Sequence, residues 1–282
     1  MPRMQPPKGY YTLTDTRKIL NISNAMVREY VKKGKINYLL PEGREHGFYS
    51  KKDVDKLYNE LNAILATNDE EEITEFKTAS KEDLKGIARI ANKIFSTQID
   101  NDPPIPNWRY ILLESNTESQ YVLKKDNEII GFATILPFKV NTDKIEKLLE
   151  SETVSEANIS KEDIEKFEKG KKVRLYIGAI GVDPDEDKSR KKYYGAKIAI
   201  GVINRLLNLG RRGVIIEDVT ALGATHIGVR LLQTFGLHEI PARKPGNRAF
   251  TMNMKESGSH ISMQYKQALK ESKHTNLHTY KV

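Results

Sequence analysis

The chain has 282 residues, 38% of them hydrophobic and 30% charged, with a formal net charge of +8 and a pI of about 9.3. That length accommodates two domains, and the basic balance favours a polyanionic partner such as nucleic acid. The absence of cysteine excludes disulfides, thiolate metal sites and a cysteine nucleophile, and no stretch reaches the ~20 apolar residues of a membrane span.

The start, Met1 to Gly9, is polar and proline-rich, and a soluble, cytoplasmic protein is expected. Thr14 is placed to cap a first helix whose apolar side is Ile19 and Leu20. After Asn21-Ile22, Ser23 is placed to cap a second. In that second helix Met26, Val27, Tyr30 and Val31 recur at helical spacing and predict a core face. Asn24, Arg28 and Lys32 are left on the other side, and Gly34 sits where a helix ends. Lys35 to Leu40 and Phe48-Tyr49 predict a strand pair around the turn Pro41 to Gly47. Ser50 opens a last helix from Lys51 to about Leu65.

Residues 11–61 in this order resemble the winged helix-turn-helix of the MerR and excisionase-like families. The resemblance is carried by the Ile-Ser turn, the Val-Lys-Lys-Gly-Lys helix end, the hairpin and the Ser-Lys-Lys-Asp-Val helix start. It implies double-stranded DNA as partner, read by the second helix and the wing. The implicated residues are Asn24, Arg28, Lys32, Lys33 and Arg44, with Tyr30 and Tyr49 as phosphate partners. One such reading head makes few contacts, so a homodimer on paired half-sites is expected.

Residues 67–72, rich in Asp and Glu, are expected to link this domain (1–66) to a second over 73–256. There, Glu72 to Lys77 predicts a strand, Lys81 to Phe95 an amphipathic helix, and Asp100 to Trp108 a proline-rich loop. Gln120 to Lys124 and Glu128 to Ile135 flank Asp126-Asn127, a hairpin signature. Residues 141–172 are expected to form a charged helical insertion, with helices over Lys144–Glu150 and Lys161–Glu168. Arg174 to Val182 is an apolar strand, and a long helix follows from about Tyr194 to Leu209. Gly213 to Val219 is a strand, His226 to Phe235 a helix, and Leu237 to Arg243 with Arg248 to Met254 a closing strand pair. Residues 257–282 are expected to be a flexible tail, with Met263 to Leu269 as a candidate docking helix.

The run Gly178 to Pro184, the segment Arg190 to Ala196 and the segment Arg230 to Leu237 resemble the GNAT acetyltransferase family. The fold class expected for the whole chain is therefore α+β: a small winged helix-turn-helix followed by a GNAT-like mixed α/β domain. The resemblance implies a loop of backbone N–H groups around the pyrophosphate of acetyl-coenzyme A, here Arg190, Tyr193, Tyr194, Gly195 and Ala196. Tyr193 stands where the family's first glycine belongs. The family's catalytic tyrosine and helix-start asparagine fall on Leu232 and Thr225. Glu217, with Asp218 beside it, is the candidate general base; His226 is a candidate donor. His260, His274 and His278 lack ligand spacing, so no metal is expected.

Three functions follow. The first is a sequence-specific DNA-binding regulator with a GNAT-like sensor or oligomerisation domain. The second is an acetyl-coenzyme-A-dependent N-acetyltransferase targeted by its first domain. The third is an excisionase-like architectural factor.

Overall fold

The computed structural model describes residues 5–65, 73–96, 100, 102–151, 154–223, 225–241 and 248–274. The acidic segment 67–72 lies outside them.

The first unit comprises β1 (Tyr10–Tyr11), α1 (Leu13–Leu20), α2 (Asn24–Lys32), β2 (Tyr38–Leu39), β3 (Phe48–Ser50) and α3 (Lys51–Leu65). Its three strands form an antiparallel sheet in the order β1-β3-β2. Thr12, rather than Thr14, caps α1. Its backbone is extended and its hydroxyl accepts from the Asp15 amide at 3.1 Å. Asn21 adopts left-handed backbone (φ 49°) to end α1, and Ser23 accepts from the Met26 amide at 3.2 Å to begin α2.

Leu20, Ile22, Met26, Val27, Ile36 and Val54 fill the core of this unit, and Tyr30 and Tyr49 join them at 8% and 5% exposure. This corrects the expectation that the two tyrosines meet phosphate. Burial pushes the Tyr30 hydroxyl up to about 12, as befits a packing residue. Asn24, Arg28, Lys32, Lys33 and Arg44 are exposed, with Lys33 paired to Glu29 at 2.5 Å.

The second unit is built on a seven-stranded mixed sheet in the order β4-β5-β6-β7-β8-β10-β9. The strands are β4 (Thr74–Thr78), β5 (Gln120–Lys125), β6 (Glu128–Lys139), β7 (Lys172–Val182), β8 (Ile215–Leu222), β9 (His238–Ile240) and β10 (Ala249–Asn253). The helices are α4 (Asp83–Phe95), α5 (Asn107–Ser115), α6 (Lys144–Glu150), α7 (Lys188–Arg211), α8 (His226–Thr234) and α9 (His260–His274). Neighbouring strands are antiparallel except β7 and β8, which run parallel with α7 as their crossover. Asp126 (φ 48°) and Asn127 (φ 71°) join β5 to β6, and two positive φ values in a two-residue loop match the strands' twist.

One face of the sheet packs its apolar residues, among them Ala133, Ile135, Val219, Phe250 and Met252, on Tyr194, Ile198 and Val202 of α7 and on Ile261 and Tyr265 of α9. On the other face Val122 and Phe132 meet α4, while Leu136, Phe138 and Tyr176 meet α5 and α6.

Two expectations are revised here. The segment 141–172 is not a solvated helical insertion. Ile145, Leu148, Leu149, Ile159, Ile164 and Phe167 are all buried, and Ile164 bridges to Phe138 at the sheet edge. Only 161–163 of the expected second helix forms a turn, closed by a Ser160–Asp163 capping box. The tail is also ordered through 274. Tyr265 is 2% exposed; its hydroxyl donates to the Val214 carbonyl and accepts from the Ile216 amide, both at 2.7 Å. The same segment meets the first unit. The Ser23 amide donates to the Gly258 carbonyl at 3.0 Å, and His260 Nδ1 lies 3.3 Å from the Leu20 carbonyl.

Candidate active site

The sheet opens where its two parallel strands part. Pairing between β7 and β8 runs from Lys172↔Ile215 to Ile177↔Ala221 and then stops, although β7 continues to Val182. Among the described residues, 178–182 therefore have β6 on one side and no strand on the other. Their backbone N–H and C=O groups on that open side are donors and acceptors without a ladder. Ile177, Gly178, Ala179 and Ile180 are only half-buried in mid-sheet, as an opening requires.

The parting coincides with a bulge in β7. Thr134 of β6 pairs with Ala179 and Ile135 with Ile177, so Gly178 is an extra residue on β7. Such a bulge bends its strand and raises its twist. A side chain at Gly178 would lie 2.6 Å from Leu136 Cδ1, so the bulge requires glycine or a shift of Leu136. Beyond the opening, Asp183 fastens β7 to α4 through Lys93 at 3.2 Å and Arg89 at 3.4 Å. Lys93 also reaches Asp185, and that contact above all raises its pKa.

Two helices begin beside this opening, α7 after β7 and α8 after β8. In parallel α/β arrangements the carboxyl ends of the strands and the helix N-termini there form the usual ligand crevice, one that favours anions. The segment expected as a phosphate loop is helical from Lys188, so Arg190, Tyr193, Tyr194, Gly195 and Ala196 all lie inside α7. The cause is Asp187, whose carboxylate accepts from the Ser189 amide at 2.8 Å and the Arg190 amide at 3.0 Å. Those amides hold the carboxyl of Asp187 below its ordinary range.

Arg190 is exposed and lies 3.5 Å from Asp187 and 3.8 Å from Glu186. Tyr194 is wholly buried in the core, while Tyr193 is half-buried under Lys197. Gly195 is half-buried, and a Cβ there would make one ordinary contact, with Val182 Cγ2 at 4.0 Å. At α8, Thr225 accepts from the Gly228 amide at 3.0 Å, His226 is exposed, and Leu232 packs against the core.

Glu217 is not brought to the opening. It lies four residues before Ala221 in β8 and pairs with Lys172 at 3.0 Å. Asp218 faces Arg174 at 2.8 Å, and Arg174 also holds Glu146 at 3.0 Å. Burial raises the Asp218 pKa against the pull of Arg174. Three features of the region escape the sequence reading: the bulge at Gly178, the capping role of Asp187, and Arg109 of α5, buried at 3% exposure beneath the same part of β6. Among the described residues, no group of three or more His, Asp or Glu side chains could hold a metal, and no helix is long and apolar enough to cross a membrane.

No protein-family model matches the chain, and no curated protein does. Solved structures do match. The loading GNATL domain of CurA from Lyngbya majuscula is 14% identical with a TM-score of 0.44, covering 65% of this chain and 98% of that one. An N-acetyltransferase from Staphylococcus aureus is 13% identical at 0.39, covering 64% and 98%. N-acetylglutamate synthase from Neisseria gonorrhoeae, complexed with coenzyme A and N-acetyl-glutamate, is 13% identical at 0.36, covering 65% of this chain and 36% of its own.

Proposed function

We propose that the second unit is an N-acyltransferase that takes its acyl group from acetyl-coenzyme A. The observation that carries this reading is the parting of β7 from β8 after Ile177 and Ala221. The two amides of an extended pantetheine chain can pair with an unpaired strand edge, and residues 178–182 offer one. Acetyl-coenzyme A supplies the acyl thioester. The bulged backbone about Gly178 offers fixed N–H dipoles to the carbonyl oxygen where charge develops during attack. An amine nitrogen forms the new C–N bond as the C–S bond breaks. The amine's proton passes to solvent, and the departing thiolate takes a proton from solvent to leave as the coenzyme thiol.

Arg190 and the first turn of α7 are the proposed partners of the pyrophosphate, and Gly195 and Ala196, small residues of the same helix, are the proposed neighbours of the chain that joins it to the thioester. The Asp187 carboxylate opposes that role, because it already occupies the first amides of α7. Titration of the full-length protein with acetyl-coenzyme A, followed by a thiol-release assay over a mixed amine pool, tests the reading. Saturable binding with amine-dependent thiol release supports it; absence of binding at millimolar ligand overturns it.

A second reading concerns the first unit, as a DNA-binding module. What favours it is the spacing of Asn24, Arg28 and Lys32, which form an exposed row at every fourth residue of α2. With Lys33 and Arg44 these side chains would meet a duplex, two copies of the chain sharing paired half-sites. A regulator and an architectural factor would use the same surface. Fluorescence anisotropy with a duplex from the protein's own upstream region and a scrambled duplex tests it. Preference for the former by ~10³ or more supports sequence-specific reading, and equal affinities oppose it.

A further inference from the structure

Arg109 is a buried cation that no anion among the described residues meets. Its Nη1 donates to Gln120 Oε1 at 2.9 Å and lies 3.3 Å from Thr134 Oγ1. Gln120 and Thr134 are partners across β5 and β6, and both are fully buried. Among the described residues neither Nε nor Nη2 has an acceptor, and no carboxylate pairs with the guanidinium. The faces of the group are covered by Trp108, with its ring centre at 4.4 Å, and by Phe132 at 5.5 Å. Aromatic stacking leaves the in-plane N–H groups uncommitted. Burial pulls the Arg109 pKa down to about 9, so the group remains a cation at neutral pH.

An uncompensated charge in such a place is costly, and the unpartnered Nε–Nη2 edge has the fork geometry that pairs with two carboxylate oxygens side by side. Its position relates it to the opening. Thr134, which holds Nη1, is also the register partner of Ala179, and its Cγ2 lies 3.8 Å from where a Cβ on Gly178 would be. Thr134 therefore touches both Arg109 and the bulge.

We infer that the acyl acceptor is a small amine bearing a carboxylate, an amino acid or a close analogue, whose carboxylate is received by the free edge of Arg109. This rests on the acyltransferase reading and adds its substrate class. Transfer rates for free amino acids and for their carboxamides, which keep the amine and lose the charge, test it in the full-length protein. The acids are expected to exceed the amides by roughly 10- to 100-fold in kcat/KM, mainly through KM. Arg109→Gln is expected to bring acids down to the amides while transfer to the amides persists. Equal rates for acids and amides in the unaltered protein overturn the inference and leave the acyltransferase reading intact; this comparison stands even where Arg109→Gln does not fold.

A second readout is independent of turnover. Trp108 is the single tryptophan of the chain and stacks on the guanidinium. Its fluorescence is expected to change saturably with amino acids and not with their amides. Loss of acetyl-coenzyme A binding defeats the parent reading, whereas a flat Trp108 titration with amino acids defeats the Arg109 site.

Discussion

Replacing Tyr265 by Phe removes one oxygen and keeps the ring that packs against α7. That oxygen serves two backbone groups at the entry to β8, the carbonyl of Val214 and the amide of Ile216, each at 2.7 Å. Both bonds are buried, so neither group gains water in the variant. An orphaned buried donor or acceptor costs roughly 1–3 kcal/mol; allowing for partial relaxation, the pair predicts a loss of about 2–4 kcal/mol. For a unit of this size that corresponds to a fall in Tm of about 5–12 °C. Differential scanning calorimetry of the two proteins gives the value, and amide exchange locates it, since Ile216 should lose protection ahead of the remainder of β8. A midpoint within about 1 °C of the unaltered protein, with Ile216 still protected, would refute the reasoning. It would mean that α9 rests on the sheet without bracing it.

Asp187→Asn keeps a side chain that caps helices as well as Asp does and removes the charge from the start of α7. Thermal stability should hardly change, while acetyl-coenzyme A should bind several-fold tighter at low salt and less so at high salt; equal affinities in calorimetric titration would dissociate α7 from phosphate binding. His260 sits at the contact between the two units, and burial lowers its pKa below the ordinary 6.5. Folding then favours the neutral ring. Its contribution is complete above pH 6.5 and is lost as pH falls toward the folded value. The unfolding midpoint should therefore drop between about pH 7.5 and 5, and His260→Gln should flatten that slope. Arg28→Ala should weaken duplex binding by roughly 1–3 kcal/mol if the side chain meets a base. An unchanged anisotropy titration would assign Arg28 to solvent.

Most secondary structure was legible because it is local. Ser23 before an amphipathic run, Asp126-Asn127 between two apolar strands, and Gly236 (φ 89°) after α8 each act over a few residues. Helix α5 was not legible. Pro106 offers no side-chain cap, and the Tyr110-Ile111-Leu112-Leu113 run has no polar interruption to mark a period. The helix carrying Arg109 therefore read as the end of a proline-rich loop and the residues after it. The early start of α7 follows from Asp187, whose carboxylate caps it; the segment Arg190 to Ala196 carries both a helical pattern and a likeness to a phosphate loop, and the cap decides for the helix.

The sequence by itself determined that α2 would bury one side and expose Asn24, Arg28 and Lys32 on the other, and that β7 would be apolar and end at Asp183-Pro184. Only the tertiary structure decided that β8 would leave β7 after Ile177, that Gly178 would be the extra residue, and that Arg109 would lie under Thr134 with its Nε unpartnered. Those features depend on pairings between strands and helices far apart in the chain. Register and burial across such distances are set by the whole sheet and by what packs on each face, and no spacing of residues along one segment encodes them.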